Sequence, residues 1–200
     1  MSSVVFICNL ALSNIGKPNI TDINEASAEA KACKQFYDHV RDLLLQSYPW
    51  TFARKTAPLA GITNSKPRRW RRAYQRPNDC LKVRRVSDET FPDYLPYGGD
   101  TVAGGFPYEI EGAEIFCNLS PAFLEYTRKV VDPTRYPPLF VDAFGWHLAV
   151  RLAMPMTRDP KVRADAYQLA VQMQTEAAVA DANEVRETSD YPAEAIEARE

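Results

Sequence analysis

The chain has 200 residues, of which 46% are hydrophobic and 25% charged, and a formal net charge of −2. That length and balance suffice to bury a core in one domain, or in one domain with a sizeable insertion, and they exclude wholesale disorder as the default. The near-neutral total gives no global pull toward nucleic acid or membrane, no apolar run approaches the roughly 18 residues of a membrane span, and the N-terminus lacks the pattern of a secretory leader.

In chain order, Ser2 or Ser3 can cap a first helix near residues 3 to 15, with Val4, Ile7, Ala11 and Ile15 on its buried face and Gly16 and Pro18 as its stop. After a turn-rich connection, Ala26, Ala30, Cys33, Tyr37, Val40 and Leu44 trace a second apolar stripe. Glu25, Glu29, Lys31, Lys34, Asp38 and Arg41 fall on its polar faces, and Pro49 forces Tyr48 out of the helical region. From Trp50 to Val131 the pattern becomes short runs broken by proline and glycine. It reads as antiparallel strands anchored by Trp50/Phe52, Trp70/Tyr74, Leu81/Val83, Ile110, Ile115/Phe116 and Phe123/Tyr126. Glu111-Gly112-Ala113-Glu114 has the composition of a hairpin turn, and Pro92 to Pro107 that of a long exposed loop.

Helical spacing returns at Pro137-Pro138 with Phe140, Val141, Phe144, Leu148 and Leu152, and Pro155 is expected to end that helix. Asp159 then caps and Pro160 opens a last helix running to about Val185, with the stripe Val162, Ala166, Leu169, Met173, Ala177 and Ala180. The expected class is therefore α+β. Residues 1–50 and 136–186 form a bundle of about four helices, 51–135 an antiparallel β-rich insertion, and 187–200 a flexible acidic arm. Because each helix has a single apolar stripe, the two ends of the chain must pack on one another.

Signatures of chemistry are sparse. His39 and His147 have no second histidine or cysteine at ligand spacing; His39 reads as a polar-flank residue and His147 as part of a packed helix interface. Cys8, Cys33, Cys80 and Cys117 are too far apart for a zinc knuckle and read as reduced, buried thiols. No nucleophile motif occurs, and Gly98-Gly99 and Gly104-Gly105 do not have the setting of a phosphate-binding loop. Thus no catalytic, metal or cofactor residue is assigned. Glu109, Glu111 and Glu114 could supply the carboxylate pair of a cell-wall or polysaccharide hydrolase, although acids beside a turn are also what a solvated hairpin carries.

Local charge carries more information than its total. Lys66, Arg68, Arg69, Arg71, Arg72, Arg76, Lys82, Arg84 and Arg85 crowd the middle, while Glu184, Glu187, Asp190, Glu194, Glu197 and Glu200 crowd the end. On strand alternation Trp70, Arg72 and Tyr74 point one way and Arg69, Arg71 and Ala73 the other. Arg68, Arg69, Arg71, Arg72, Arg76, Arg84 and Arg85 form a basic cluster suited either to DNA passing through a channel or to acidic groups of a neighbouring subunit.

Several stretches, in this order, resemble the tail tubular protein A family, the head-to-tail adaptors of short-tailed bacteriophages. They are Leu10 with Ile15-Gly16 and Pro18-Asn19-Ile20; Tyr37, Arg41 and Leu44 leading to Tyr48-Pro49-Trp50-Thr51-Phe52-Ala53; Trp70 and Tyr74 followed by Pro77 and Asp79 to Val83; and Pro138 to Ala149. The resemblance covers about residues 5 to 185. It implies a non-enzymatic virion protein at the head–tail junction, made in the host cytoplasm. Such a protein forms a ring of 12 copies clamped between the portal and a nozzle of the tail tubular protein B type, with genomic DNA passing through the lumen and no membrane or cofactor involved. It also implies that the C-terminal arm, with Glu187, Asp190, Tyr191, Glu194, Ile196 and Glu197, reaches along the portal. A head completion protein of a long-tailed phage is the related alternative. In a closed ring each copy presents two different complementary patches, expected on the middle segment and on the flanks of the second helix.

Overall fold

The computed structural model describes residues 2–88 and 106–184. The arm expected over 187–200, and all but the last two residues of the loop expected over 92–107, lie outside the described residues. The described chain is α+β: four α-helices from its two ends, and seven antiparallel strands between them.

The helix boundaries follow local chemistry. Ser3 caps α1 (Val4–Asn14), its hydroxyl accepting from the Phe6 N–H at 3.0 Å. Gly16, at φ +67°, turns the chain out of α1 in the left-handed conformation that only glycine adopts cheaply. The Lys17 N–H meanwhile reaches back to the Leu12 carbonyl at 2.9 Å. Glu25 pins the connection that follows by accepting from Thr21, Asp22 and Ser27, and these donors hold its carboxyl down at about 2. Ser27 caps α2 (Ala28–Ser47), so Ala26 lies before the helix and is exposed, contrary to its expected place on the apolar stripe.

α3 (Pro138–Thr157) runs two residues beyond Pro155. The ring of Pro155 falls in the last turn, where only one internal bond is lost, and Arg158 closes the helix in the left-handed region at φ 56°. α4 (Pro160–Glu184) opens as expected, with the Asp159 carboxylate accepting from the Lys161 N–H at 2.8 Å.

α3 is the centre of the bundle, packed against α1, α2 and α4. Phe140, Val141, Phe144, Leu148 and Leu152 are all buried, as their spacing predicts. Gly145 allows α1 to approach closely: a Cβ there would lie 2.7 Å from Leu10 Cδ2. α4 buries Ala166, Ala170, Ala177 and Asp181; Ala166 and Ala177 belong to the expected stripe, and Val162 and Met173 of that stripe pack against the core, whereas Leu169 is exposed. Ala170, the next residue along, is buried in its place.

Trp50 and Phe52 are not strand anchors. Trp50 enters a 3₁₀ turn (Thr51–Ala53) and joins the bundle core, where its ring stands edge-on to Phe140 at 5.0 Å and its N–H donates to the Leu44 carbonyl at 2.8 Å. Strands β1 (Arg54–Pro58), β7 (Phe123–Arg128) and β4 (Cys80–Ser87) form one sheet in the order β1-β7-β4. Strands β2 (Ala60–Ile62), β3 (Arg72–Gln75), β6 (Glu114–Cys117) and β5 (Tyr108–Glu111) form a second sheet in the order β2-β3-β6-β5. The β5–β6 hairpin is the one read from Glu111-Gly112-Ala113-Glu114: Glu111 pairs with Glu114, and Gly112 takes φ +57°. Tyr74, Ile115 and Cys117 from one sheet and Val83, Val86, Leu124 and Tyr126 from the other share a second core.

Two irregularities in β4 join this β region to the bundle. The ladder with β7 skips Leu81 and Arg84, leaving both unpaired at bulges. A bulge re-aims the extra side chain. Here Leu81 packs on the bundle core and Arg84 reaches the end of α2.

Candidate functional surfaces

The basic cluster read as one feature is divided by the fold. Arg84 donates to Thr127 Oγ1 at 2.8 Å and to the Tyr48 and Gln46 carbonyls at 2.7 and 3.4 Å, joining the sheet to the last turn of α2. Burial lowers its pKa below the ordinary arginine value. Arg76 donates to the Cys80 and Leu81 carbonyls and staples the β3–β4 turn. Arg85 lies 3.1 Å from Glu125. These three arginines serve the monomer's own structure, and the structure does not gather them with the rest.

Arg68, Arg69, Arg71 and Arg72 are exposed. Arg68, Arg69 and Trp70 occupy a turn before β3, so the strand alternation expected to orient them does not extend that far. Arg69 is 3.1 Å from Glu109. Of this cluster, Arg68, Arg71 and Arg72 have no carboxylate partner among the described residues. The depression beside them, about 430 Å3 and lined by Ser65, Lys66, Pro67, Arg68 and Arg69, is wide open to solvent. That is unlike a small-molecule pocket.

The hairpin carboxylates are engaged. Glu109 accepts from Lys66 at 2.7 Å and from the Trp70 indole at 2.8 Å, and Lys66 also bridges to Glu111. The Lys66 and Trp70 donors hold the Glu109 carboxyl below its ordinary range. A general acid for glycoside cleavage needs the opposite shift. Glu114 lies 3.3 Å from Ser65 Oγ. This arrangement fastens the Lys66–Trp70 turn over the outer face of its sheet, where Phe116 is buried with the Lys66 ammonium 5.0 Å from its ring centre.

His39 is exposed, and His147 lies in the α3–α4 interface with its Nε2 2.8 Å from Gln174 Oε1. Burial pushes the His147 pKa down. All four cysteines are buried free thiols. Among the described residues no group of three or more His, Cys, Asp or Glu is placed to hold a metal ion, and no helix is long and apolar enough to cross a membrane.

Two buried charges escape sequence reasoning. Arg41, assigned above to a polar face, is 2% exposed and pairs with Asp38 at 2.7 Å and Asp42 at 2.8 Å. Its stem packs in line with Tyr37, Val40 and Leu44, and the acids at positions 38 and 42 were the available signal that its charge could be buried. Asp181 is 6% exposed and accepts from the Thr51 N–H at 3.0 Å and the Thr51 hydroxyl at 2.7 Å, tying α4 to the start of the β region.

A third feature is an unpartnered helix face. Of the 25 residues of α4 only Ala166, Ala170, Ala177 and Asp181 are buried, while Tyr167, Val171 and Val179 are 59%, 45% and 58% exposed. Tyr167 and Val171 stand one turn apart on the helix surface, and Val179 lies two turns further on, rotated by about 80° from Val171.

No protein-family model matches the chain, and no curated protein matches it.

Proposed function

We propose that this protein is a structural virion component, a head-to-tail adaptor whose copies form a ring between portal and tail nozzle and surround the DNA path. The observation that carries the reading is the set of exposed apolar residues Tyr167, Val171 and Val179 on α4, which a monomer leaves uncovered and a neighbouring subunit would cover. Supporting it is the order of elements, two helical ends around an antiparallel β region, which is the arrangement that the resemblance in residues 5 to 185 implies. Arg68, Arg71 and Arg72 remain available for DNA or for a subunit contact, whereas Arg76, Arg84 and Arg85 are committed within the subunit. The segment carrying Glu187, Asp190, Tyr191, Glu194, Ile196 and Glu197 is proposed to dock on the portal.

Electron microscopy of particles labelled against this protein tests the reading. Label at the portal vertex, with stoichiometric incorporation into particles, is the expected result. Label elsewhere, or absence from purified particles, overturns it. Co-purification with a short-tail nozzle separates this reading from a head completion protein of a long-tailed phage. Turnover of peptidoglycan or polysaccharide that disappears in Glu109→Gln would instead favour the hydrolase.

A further inference from the structure

α4 ends at Glu184, which lines an apolar groove, and 16 residues of chain follow it. The groove, about 280 Å3, lies between the start of α3 and the last two turns of α4. Trp50, Leu139, Phe140, Ala177 and Ala180 form its apolar walls, and Leu139 is left 45% exposed. Two carboxylates complete the lining. Asp181 is committed to Thr51, whereas Glu184 has no cationic partner among the described residues.

Apolar walls with an unengaged carboxylate among them suit a side chain that has an apolar body and a hydrogen-bond donor at its tip, which is the form of tyrosine. The 16 residues after Glu184 contain one aromatic, Tyr191. Val185 and Ile196 are apolar but bring no side-chain donor for Glu184. Arg186 supplies a cation to set against Glu187 and Asp190 near the acids of the groove.

The reach is sufficient. From Glu184 back to Ala177 the groove runs about 10 Å along α4, at 1.5 Å per residue. The seven steps of chain from Glu184 to Tyr191 extend to about 23 Å, so the chain can turn and come back. A tether this short raises the effective concentration of the side chain at the groove to the mM range, and a weak contact is then enough to fill it.

We propose that, in a subunit not yet on the portal, Tyr191 of the same chain occupies this groove, with its ring against Leu139 and Phe140 and its hydroxyl donating to Glu184. The seat itself does not depend on the proposed function. Its consequence rests on that reading: the same segment docks on the portal there, so portal binding has to draw Tyr191 out of the groove.

The test is the mobility of a nitroxide attached at Ala193→Cys in the full chain, read by electron paramagnetic resonance. The four native cysteines are buried, so the label goes to position 193. It should tumble at least about threefold more slowly in the parent background than in Tyr191→Ser, because an unattached terminus moves freely on the nanosecond scale. Leu139→Asp, which puts a charge on an exposed part of the groove wall, should free the label to the same degree, and a melting curve confirms that this variant folds.

Equal mobility in the parent and Tyr191→Ser, or a label held as firmly in Leu139→Asp as in the parent, overturns the seat. Immobilisation that grows with protein concentration places Tyr191 in the groove of another copy and overturns it as well. Each of these results leaves the ring standing, whereas absence of the protein from the portal vertex of particles overturns the ring and leaves the seat.

Discussion

Arg84→Met separates a structural arginine from a nucleic-acid one. Methionine keeps an unbranched apolar stem in place but removes the donors to Thr127 Oγ1, the Tyr48 carbonyl and the Gln46 carbonyl. Thr127 is 1% exposed, so its hydroxyl is stranded without water, and the end of α2 loses a charged group that satisfied its last carbonyls. Hydrogen bonds to charged groups contribute about 1.5–3 kcal/mol each. Against this, the guanidinium is itself partly desolvated, the same burial that lowers its pKa. The net loss should be about 2–4 kcal/mol, or roughly 5–15 °C in melting temperature for a chain of this size. Urea unfolding followed by tryptophan fluorescence reads it directly, since Trp50 lies in the adjoining core. Arg71→Met is the control; that residue is exposed, so its stability should stay within about 0.5 kcal/mol of the parent. If the two variants shift the midpoint equally, Arg84 is not the joint described above.

Asp181→Ala should cost about 1.5–3 kcal/mol, because the Thr51 amide and hydroxyl lose a charged acceptor in a partly buried place; a urea midpoint within error of the parent would contradict it. Gly145→Leu should cost about 3 kcal/mol or more, since even a Cβ would lie 2.7 Å from Leu10 and α1 would be driven off α3; unchanged melting would refute the close approach. For His147 the folded pKa lies below the ordinary 6.5, so the unfolded chain takes up the proton first and stability falls as pH drops through 6.5 toward the folded value. His147→Gln should therefore lose less stability than the parent between pH 7.5 and pH 5.5, and an equal loss in both chains would exclude the histidine as the cause.

The helices are legible in the sequence because their signals are local. Ser3, Ser27, Asp159-Pro160 and the apolar spacing of Phe140 to Leu152 act over one or a few turns. The β5–β6 hairpin is legible for the same reason, since Gly112 sits between paired strands of matching length. What the sequence conceals is which side of each element the rest of the chain covers. Arg41 reads as a polar-face residue until Asp38 and Asp42 are seen to neutralise it as it enters the core. Leu169 reads as core because period alone cannot reveal that α4 meets α3 through alanines. Trp50 and Phe52 look like strand residues by composition, yet the aromatic pocket around Phe140 draws them into the bundle.

The basic cluster is the clearest case, because a run of like residues looks like one site when read along a line. Its fate is decided by a turn at Arg69, a short strand at Arg72 and a bulge at Arg84, each a backbone event that composition does not register. The bulge at Arg84 has a consequence beyond that residue. Together with Leu81 and the Asp181–Thr51 contact, it fixes the β region against the bundle through three separate attachments. A head-to-tail contact closes into a ring only if the angle between its two patches is the same in every copy. In the proposed ring these attachments hold that angle, so the arginine retained inside the subunit helps to govern how successive copies meet.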